Sequence, residues 1–226
     1  MNKTILITGG AKRLGARLAM FLAKEKYNIA ITYNNSFTSA IKLKEKIESL
    51  NLNCQIYKFD FNDLDFIDDL VNKVSNDFNG IFGLINNASI FEQSLYLETT
   101  KSELLRNFNI HVFAPFLLSQ AFAKISEKGK IINITDLRVK TETLRFFPYL
   151  LSKKSLADLT KMLAKDLAPK IQVNEIRPGI LLPNFKYDPR EDLNNEYTKH
   201  QKIEDFFSIV KDILDNNYSG RQIEIN

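Results

Sequence analysis

The chain has 226 residues, 44% of them apolar and 26% charged, which is enough for one sizeable core and short for two, so a single domain over 1–226 is expected. No apolar run approaches the ~20 residues needed to cross a bilayer, and the net charge of +4 comes from Lys and Arg interspersed with Asp and Glu in segments such as IKLKEKIES; neither a membrane span nor a nucleic-acid footprint is expected. Cys54 is the only cysteine, and His111 and His200 lie far apart, so an intrachain disulfide and a metal site are both excluded and the two histidines read as bystanders.

From the N-terminus, Met1-Asn2-Lys3-Thr4 leads into ILITGG, an apolar run that enters a glycine turn and not a cleavage site, so the cytoplasm is the expected location. KTILIT reads as a strand, 13–26 as a helix, NIAITY as a strand, 36–51 as an amphipathic helix and NCQIYKF as a strand. A helix at 63–77 then leads to the strand GIFGLIN, and a long helical stretch at about 101–127 leads to GKIINIT. The helix at 148–168 precedes IQVNEI, and one near 203–216 precedes RQIEI. Short strands rich in Ile, Val and Phe that alternate with helices predict an α/β fold, a doubly wound Rossmann-type sheet of about seven parallel strands with helices on both faces. The irregular segment 178–202, with three prolines and a polar middle, follows a strand and reads as a substrate lid within the domain.

The first strand runs into TGGAKRLG, residues 8–15, and glycines at a strand-to-helix turn let the backbone approach a pyrophosphate held at the helix N-terminus. Alone, such a turn is a weak signal, since it could simply connect strand to helix. Further along the chain come Phe59-Asp60 after the third strand, Asn86-Asn87-Ala88-Ser89 after the fourth, Asn109 in the next helix, and Tyr149 four residues before Lys153. With these residues in order, the chain resembles the short-chain dehydrogenase/reductase family over nearly its full length. Two departures from that family's pattern, Arg13 at the middle glycine of the turn and Asp136 where a serine is usual, together with NNASIF, resemble its pterin reductases, the subgroup of pteridine and dihydromonapterin reductases.

Tyr149 and Lys153 fall on one helix face, so the ammonium is expected near the phenol, lowering its pKa from about 10 toward working pH and making it a proton donor. An ionised carboxylate at Asp136 would repel an alkoxide, which argues against an ordinary ketone substrate. Reduction of a C=N bond instead requires a proton on nitrogen, which a carboxyl beside Tyr149 can help deliver. The expected reaction is reduction of a dihydropterin, of the dihydromonapterin or dihydrobiopterin kind or dihydrofolate, to the tetrahydro form. Two alternatives stay open: a carbonyl reductase with protonated Asp136, such as a 3-oxoacyl-carrier-protein reductase, and a non-catalytic NADPH-binding sensor.

Cofactor choice is read at the end of the second strand, where Thr32-Tyr33-Asn34-Asn35-Ser36 carries no acid to repel a 2′-phosphate. Arg13 and Lys12 can supply charge-assisted bonds to that phosphate, and Ser36 opens a helix whose N-terminus favours an anion, so NADPH is the expected cofactor. By the resemblance, Gly9, Leu14, Gly15, Asn34, Asn35, Asp60, Asn87, Ala88, Ser89, Pro178 and Gly179 join Tyr149 and Lys153 around the cofactor. It also implies Asp60 at the adenine, Asn109 in the catalytic group, and Ser89 and Phe91 with Asp136 and Tyr149 at the substrate, Phe91 forming one face of a slot for the pterin ring. A homo-oligomer, a tetramer, is implied by the same resemblance.

Overall fold

Along the central strands of this chain, successive side chains leave for opposite faces, and both sets are largely apolar. The computed structural model describes residues 2–142, 145–182 and 201–225. Its strands are β1 (Thr4–Ile7), β2 (Asn28–Tyr33), β3 (Cys54–Lys58), β4 (Gly83–Asn86), β5 (Gly129–Ile134), β6 (Ile171–Arg177) and β7 (Gln222–Glu224). The helices are α1 (Arg13–Lys24), α2 (Phe37–Glu48), α3 (Ile67–Phe78), α4 (Lys101–Phe108), α5 (Ala114–Ile125), α6 (Phe147–Asp166) and α7 (Ile203–Asp215). All pairs are parallel, in the order β3-β2-β1-β4-β5-β6-β7.

The period of two divides the core. Ile5, Ile7, Ile29, Ile31 and Ile132 face a cluster with Leu18 and Leu22 of α1, Leu43 and Ile47 of α2, and Val210 and Ile213 of α7. Their neighbours Leu6, Ala30, Leu84 and Ile131 face the other way, onto Leu70 and Val74 of α3 and Leu118 and Phe122 of α5. β1 and β5 are buried along their whole length, as strands covered on both faces must be. Strand order reverses between β1 and β4, so connections leave their C-terminal ends in opposite directions and open a crevice, the place where open α/β sheets bind ligands.

Two expectations are adjusted. The stretch expected as a long helix at 101–127 is one helical run with a five-residue π-turn, Asn109–Phe113, between α4 and α5. Pro115 offers no N–H, so the regular bond to the carbonyl of His111 cannot form there, which favours a register change. Of the lid expected over 178–202, residues 183–200 lie outside the described residues; at its ends, Gln201 Oε1 accepts the Gly179 N–H at 2.7 Å. Among the described residues no helix is long and apolar enough to cross a membrane, and no group of His, Cys, Asp and Glu could hold a metal ion.

Candidate active site

The glycine turn is drawn tightly onto the end of β4. Thr8 Oγ1 accepts the backbone N–H groups of Asn87 and Ala88 at 2.9 Å each, and Asn87 Nδ2 donates to Thr8 O at 2.8 Å. Gly9 N donates to Thr32 Oγ1 at 3.0 Å, so β1, β2 and β4 are tied at one point. Gly9 has φ +62°, and a Cβ on Gly15 would lie 2.5 Å from Gly9 O and 2.7 Å from Asn87 Nδ2, closer than any side chain permits. The chain then enters α1 at Arg13, whose N-cap Lys12 makes no side-chain capping bond. A helix N-terminus without a side-chain cap suits an anion.

Above this turn runs a cavity of about 840 Å³. One end is lined by Gly9, Lys12, Arg13, Leu14 and Gly15 with Tyr33, Asn34, Asn35 and Asp60; Ser36 lies outside the lining, at the N-cap of α2. Asp60 Oδ1 accepts from both N and Nδ2 of Asn62 at 2.9 Å, closing its own turn before α3. Asn87 faces the cavity too, but its amide donors are already engaged with the glycine turn, which makes it a clasp between strands as well as a lining residue. The other end is lined by Ala88, Ser89, Phe91, Asp136, Tyr149, Lys153, Pro178 and Gly179.

Asp136 sits just past β5 and Tyr149 in the first turn of α6, and the phenol donates to Asp136 Oδ2 at 2.7 Å. The second carboxyl oxygen, Oδ1, accepts the Arg138 backbone N–H at 2.8 Å, which fixes the plane of the group. Lys153 Nζ donates to Ile134 O at 2.8 Å and stands 5.8 Å from the Tyr149 ring centroid. The electrostatics differ from the sequence-based expectation. Burial, reinforced by the charge and hydrogen bond of Asp136, raises the Tyr149 pKa well above its ordinary value, while burial pulls Lys153 down to about 8 against the opposing pull of Asp136 and Glu175. The phenol is therefore held protonated, as a donor, and its immediate partner is Asp136.

Asn109, expected in the catalytic group, opens the π-turn; neither it nor His111, two positions on, lines this cavity, but His111 is 1% exposed and meets Tyr149 edge-on at 5.4 Å. His111 Nδ1 lies 2.8 Å from Ser152 Oγ, and Nε2 lies 2.9 Å from Ser89 Oγ and 3.3 Å from Ile90 N. A helix carrying both an Asn and a His two positions apart leaves the choice to the helical phase, and the π-turn sets that phase. Thr8 and Thr32 were also missed, because a strand threonine carries no signal of the turn it will hold.

Phe91 lines the cavity and stacks on Phe146 at 4.3 Å with 21° between planes, its edge contact with Tyr149 being 4.8 Å. It thus combines a cavity-lining position with packing. Arg138, itself buried, places its guanidinium carbon 5.4 Å from the ring centroids of both Phe91 and Phe146.

This geometry has counterparts in known proteins. The chain is 30% identical to the uncharacterized oxidoreductase YhxC of Bacillus subtilis over 181 residues, 79% of this chain but only 64% of that protein's length. It is 29% identical to the dihydromonapterin reductase of Enterobacter sp. (strain 638) over 192 residues, 83% of this chain and 78% of that one. Among solved structures, FolM alternative dihydrofolate reductase 1 from Brucella canis, complexed with NADP, superposes with a TM-score of 0.92 at 28% identity, covering 100% of this chain and 92% of that one. The family model for short chain dehydrogenase matches residues 3–194, and this chain belongs to that family.

Proposed function

We propose that this chain is a cytoplasmic, NADPH-dependent reductase that converts a dihydropterin to its tetrahydro form by hydride transfer to a ring C=N. The observation that carries the reading is the 2.7 Å hydrogen bond from Tyr149 to Asp136 at the Phe91 end of the cavity. A carboxyl in that place is ill suited to an oxyanion and well suited to the basic nitrogen of an imine. The relatives named dihydromonapterin reductase and the NADP complex of an alternative dihydrofolate reductase support the same assignment.

The donor set suits NADPH. The glycine turn has no room for a Cβ at Gly15, and the uncapped first turn of α1 suits a pyrophosphate. Lys12 and Arg13 face Asn34 and Asn35 across the same end of the cavity with no acid at the end of β2, which suits a 2′-phosphate. When bound, NADPH supplies the hydride. The chain's own part is proton delivery: Tyr149 holds the proton, Asp136 orients it and offsets positive charge on the substrate nitrogen, and Arg138 N–H keeps Asp136 in plane. Lys153, pinned by Ile134 O, keeps a cation beside the pair. Phe91 offers an aromatic face that would hold a flat heterocycle parallel to the hydride donor.

The test is NADPH oxidation by the purified chain, assayed with 7,8-dihydromonapterin, 7,8-dihydrobiopterin, dihydrofolate and a β-keto thioester. Turnover of the pterins well above the thioester is expected; the reverse order would assign a carbonyl reductase, and NADPH binding without turnover a sensor. Self-association, as a tetramer, is part of the proposal: Phe113 and Phe116 near the π-turn, and Leu151 and Met162 on α6, are exposed apolar side chains that a second copy could cover, which sedimentation would test.

A further inference from the structure

His111 has a determinable protonation state, because one of its partners can only donate. The backbone N–H of Ile90 points at Nε2 from 3.3 Å, so Nε2 must carry a lone pair. In the neutral ring the proton then sits on Nδ1 and is donated to Ser152 Oγ at 2.8 Å, and the Ser152 hydroxyl passes its own proton to Tyr149 O at 2.7 Å. The Ser89 hydroxyl has two acceptors within reach, His111 Nε2 at 2.9 Å and Ile90 O at 3.3 Å. In either case its proton is turned into the protein, and what Ser89 offers the cavity is lone pairs. The titratable groups of α6 packed beside the imidazole are Lys153 and Tyr149, while the loop after β4 contributes only Ser89 and the Ile90 backbone to its hydrogen bonds. Burial and the Lys153 charge both push the His111 pKa down, which agrees with the neutral state that the bonds require.

We propose that His111 is a positioning residue: in its Nδ1–H form it fixes Ser89 as a hydrogen-bond acceptor and ties the loop bearing Phe91 to the helix bearing Tyr149, so that the site favours ligands presenting an N–H donor at Ser89. Such donors are the ring N–H and amino groups of a reduced pterin and the carboxamide of a nicotinamide; a simple ketone has none. The inference rests on the reductase reading for its substrate but not for its geometry.

Two measurements test it. The chain has two histidines, so ¹⁵N-histidine labelling with a His200→Gln control assigns the His111 ring, which should be neutral and protonated on Nδ1 at neutral pH; an Nε2–H or cationic ring would overturn the proposal. His111→Gln can keep an amide oxygen near the place of Nε2, whereas His111→Phe keeps only the ring volume. The KM for 7,8-dihydrobiopterin should rise about tenfold in His111→Phe and stay within about threefold in His111→Gln, the scale of one lost hydrogen bond. Ser89→Ala, at an exposed position, removes the acceptor without touching the core and should match His111→Phe in KM with an unchanged Tm. An unaltered KM in Ser89→Ala overturns the proposal even if His111→Phe does not fold. If the wild-type chain turns over no dihydropterin, the reductase reading fails by itself, and the same variants are then compared by NADPH fluorescence titration, the carboxamide serving as the N–H donor.

Discussion

Tyr149 donates its phenolic proton to Asp136 Oδ2 at 2.7 Å, and burial, reinforced by the charge and hydrogen bond of Asp136, makes the tyrosine a harder acid to ionise. On the proposed reading, this is the proton that a substrate nitrogen draws on. Tyr149→Phe is expected to bind NADPH nearly as well as the wild type while turnover falls by about 10² or more, the usual scale for a general acid. Asp136→Ser is the more discriminating change, since it leaves a hydroxyl where the carboxyl stood. It should lose dihydropterin turnover and gain activity toward a ketone; pterin turnover unchanged from the wild type would show that the carboxyl has no part in the reaction.

Lys153 is expected to give rate and stability opposite pH dependences. Its folded pKa, about 8, lies below the unfolded value of about 10.4. Below about 8 both states bind the proton and the cost of burying the charge is fully present; between the two values the unfolded chain binds more proton, so stability rises with pH. Turnover, if it depends on the ammonium, should instead decline as pH passes about 8. Lys153→Met is expected to abolish this stability gain and to reduce kcat by about 10² or more. Thermal melts and initial rates over the same pH series, on both proteins, check the two signs together.

Arg13, to which the proposed cofactor preference is assigned, occupies an unusual backbone position, with φ +50° at the place where the family's turn has its middle glycine. A non-glycine residue there costs on the order of 1 kcal/mol of strain, which is tolerable where the side chain has a use. Arg13→Gly should relieve that strain and raise Tm slightly while weakening NADPH by roughly tenfold or more and leaving NADH little changed, the difference being a charge-assisted bond of about 1.5–3 kcal/mol. Isothermal titration with both cofactors decides it: equal losses would remove Arg13 from the 2′-phosphate.

The fold was legible because Ile5, Ile7, Ile29 and Ile31 face one core and Leu6 and Ala30 the other, so β1 and β2 are apolar on both faces and the segments between the strands have helical periods. The glycine turn and the Tyr149/Lys153 pair were legible because local spacing fixes them. What spacing could not supply was phase and environment. Asn109 and His111 are two residues apart on a helix whose π-turn decides which one meets Tyr149, and no sequence pattern announced that turn apart from Pro115. The direction of the Tyr149 pKa was misjudged for a similar reason: Lys153 is on the expected face, but burial and the adjacent Asp136 outweigh its charge, and burial is not written in a four-residue spacing.

Phe91 is tied both to the cavity and to the small cluster of Phe146, Tyr149 and Leu150, so a truncation there reads out two effects at once. Removing the ring leaves Phe146, now 1% exposed, without the partner stacked at 4.3 Å, and loosens the edge contact that helps hold Tyr149. Phe91→Ala is therefore expected to lower stability by about 3 kcal/mol, the scale of a large aromatic deletion, as well as to raise the pterin KM. Phe91→Leu separates the two. Leucine keeps most of the packing against Phe146, holding the loss to about 1.5 kcal/mol, but it offers no aromatic face to a heterocycle. Loss of a stacking face is worth on the order of 1–3 kcal/mol by analogy with bases on aromatic side chains, so the dihydropterin KM should still rise about tenfold or more in Phe91→Leu, with the NADPH Kd nearly constant. Steady-state kinetics and denaturant titration of the two variants give the answer: if Phe91→Leu restores both stability and pterin KM, the ring is packing alone, and the aromatic face of the cavity must be sought in another residue.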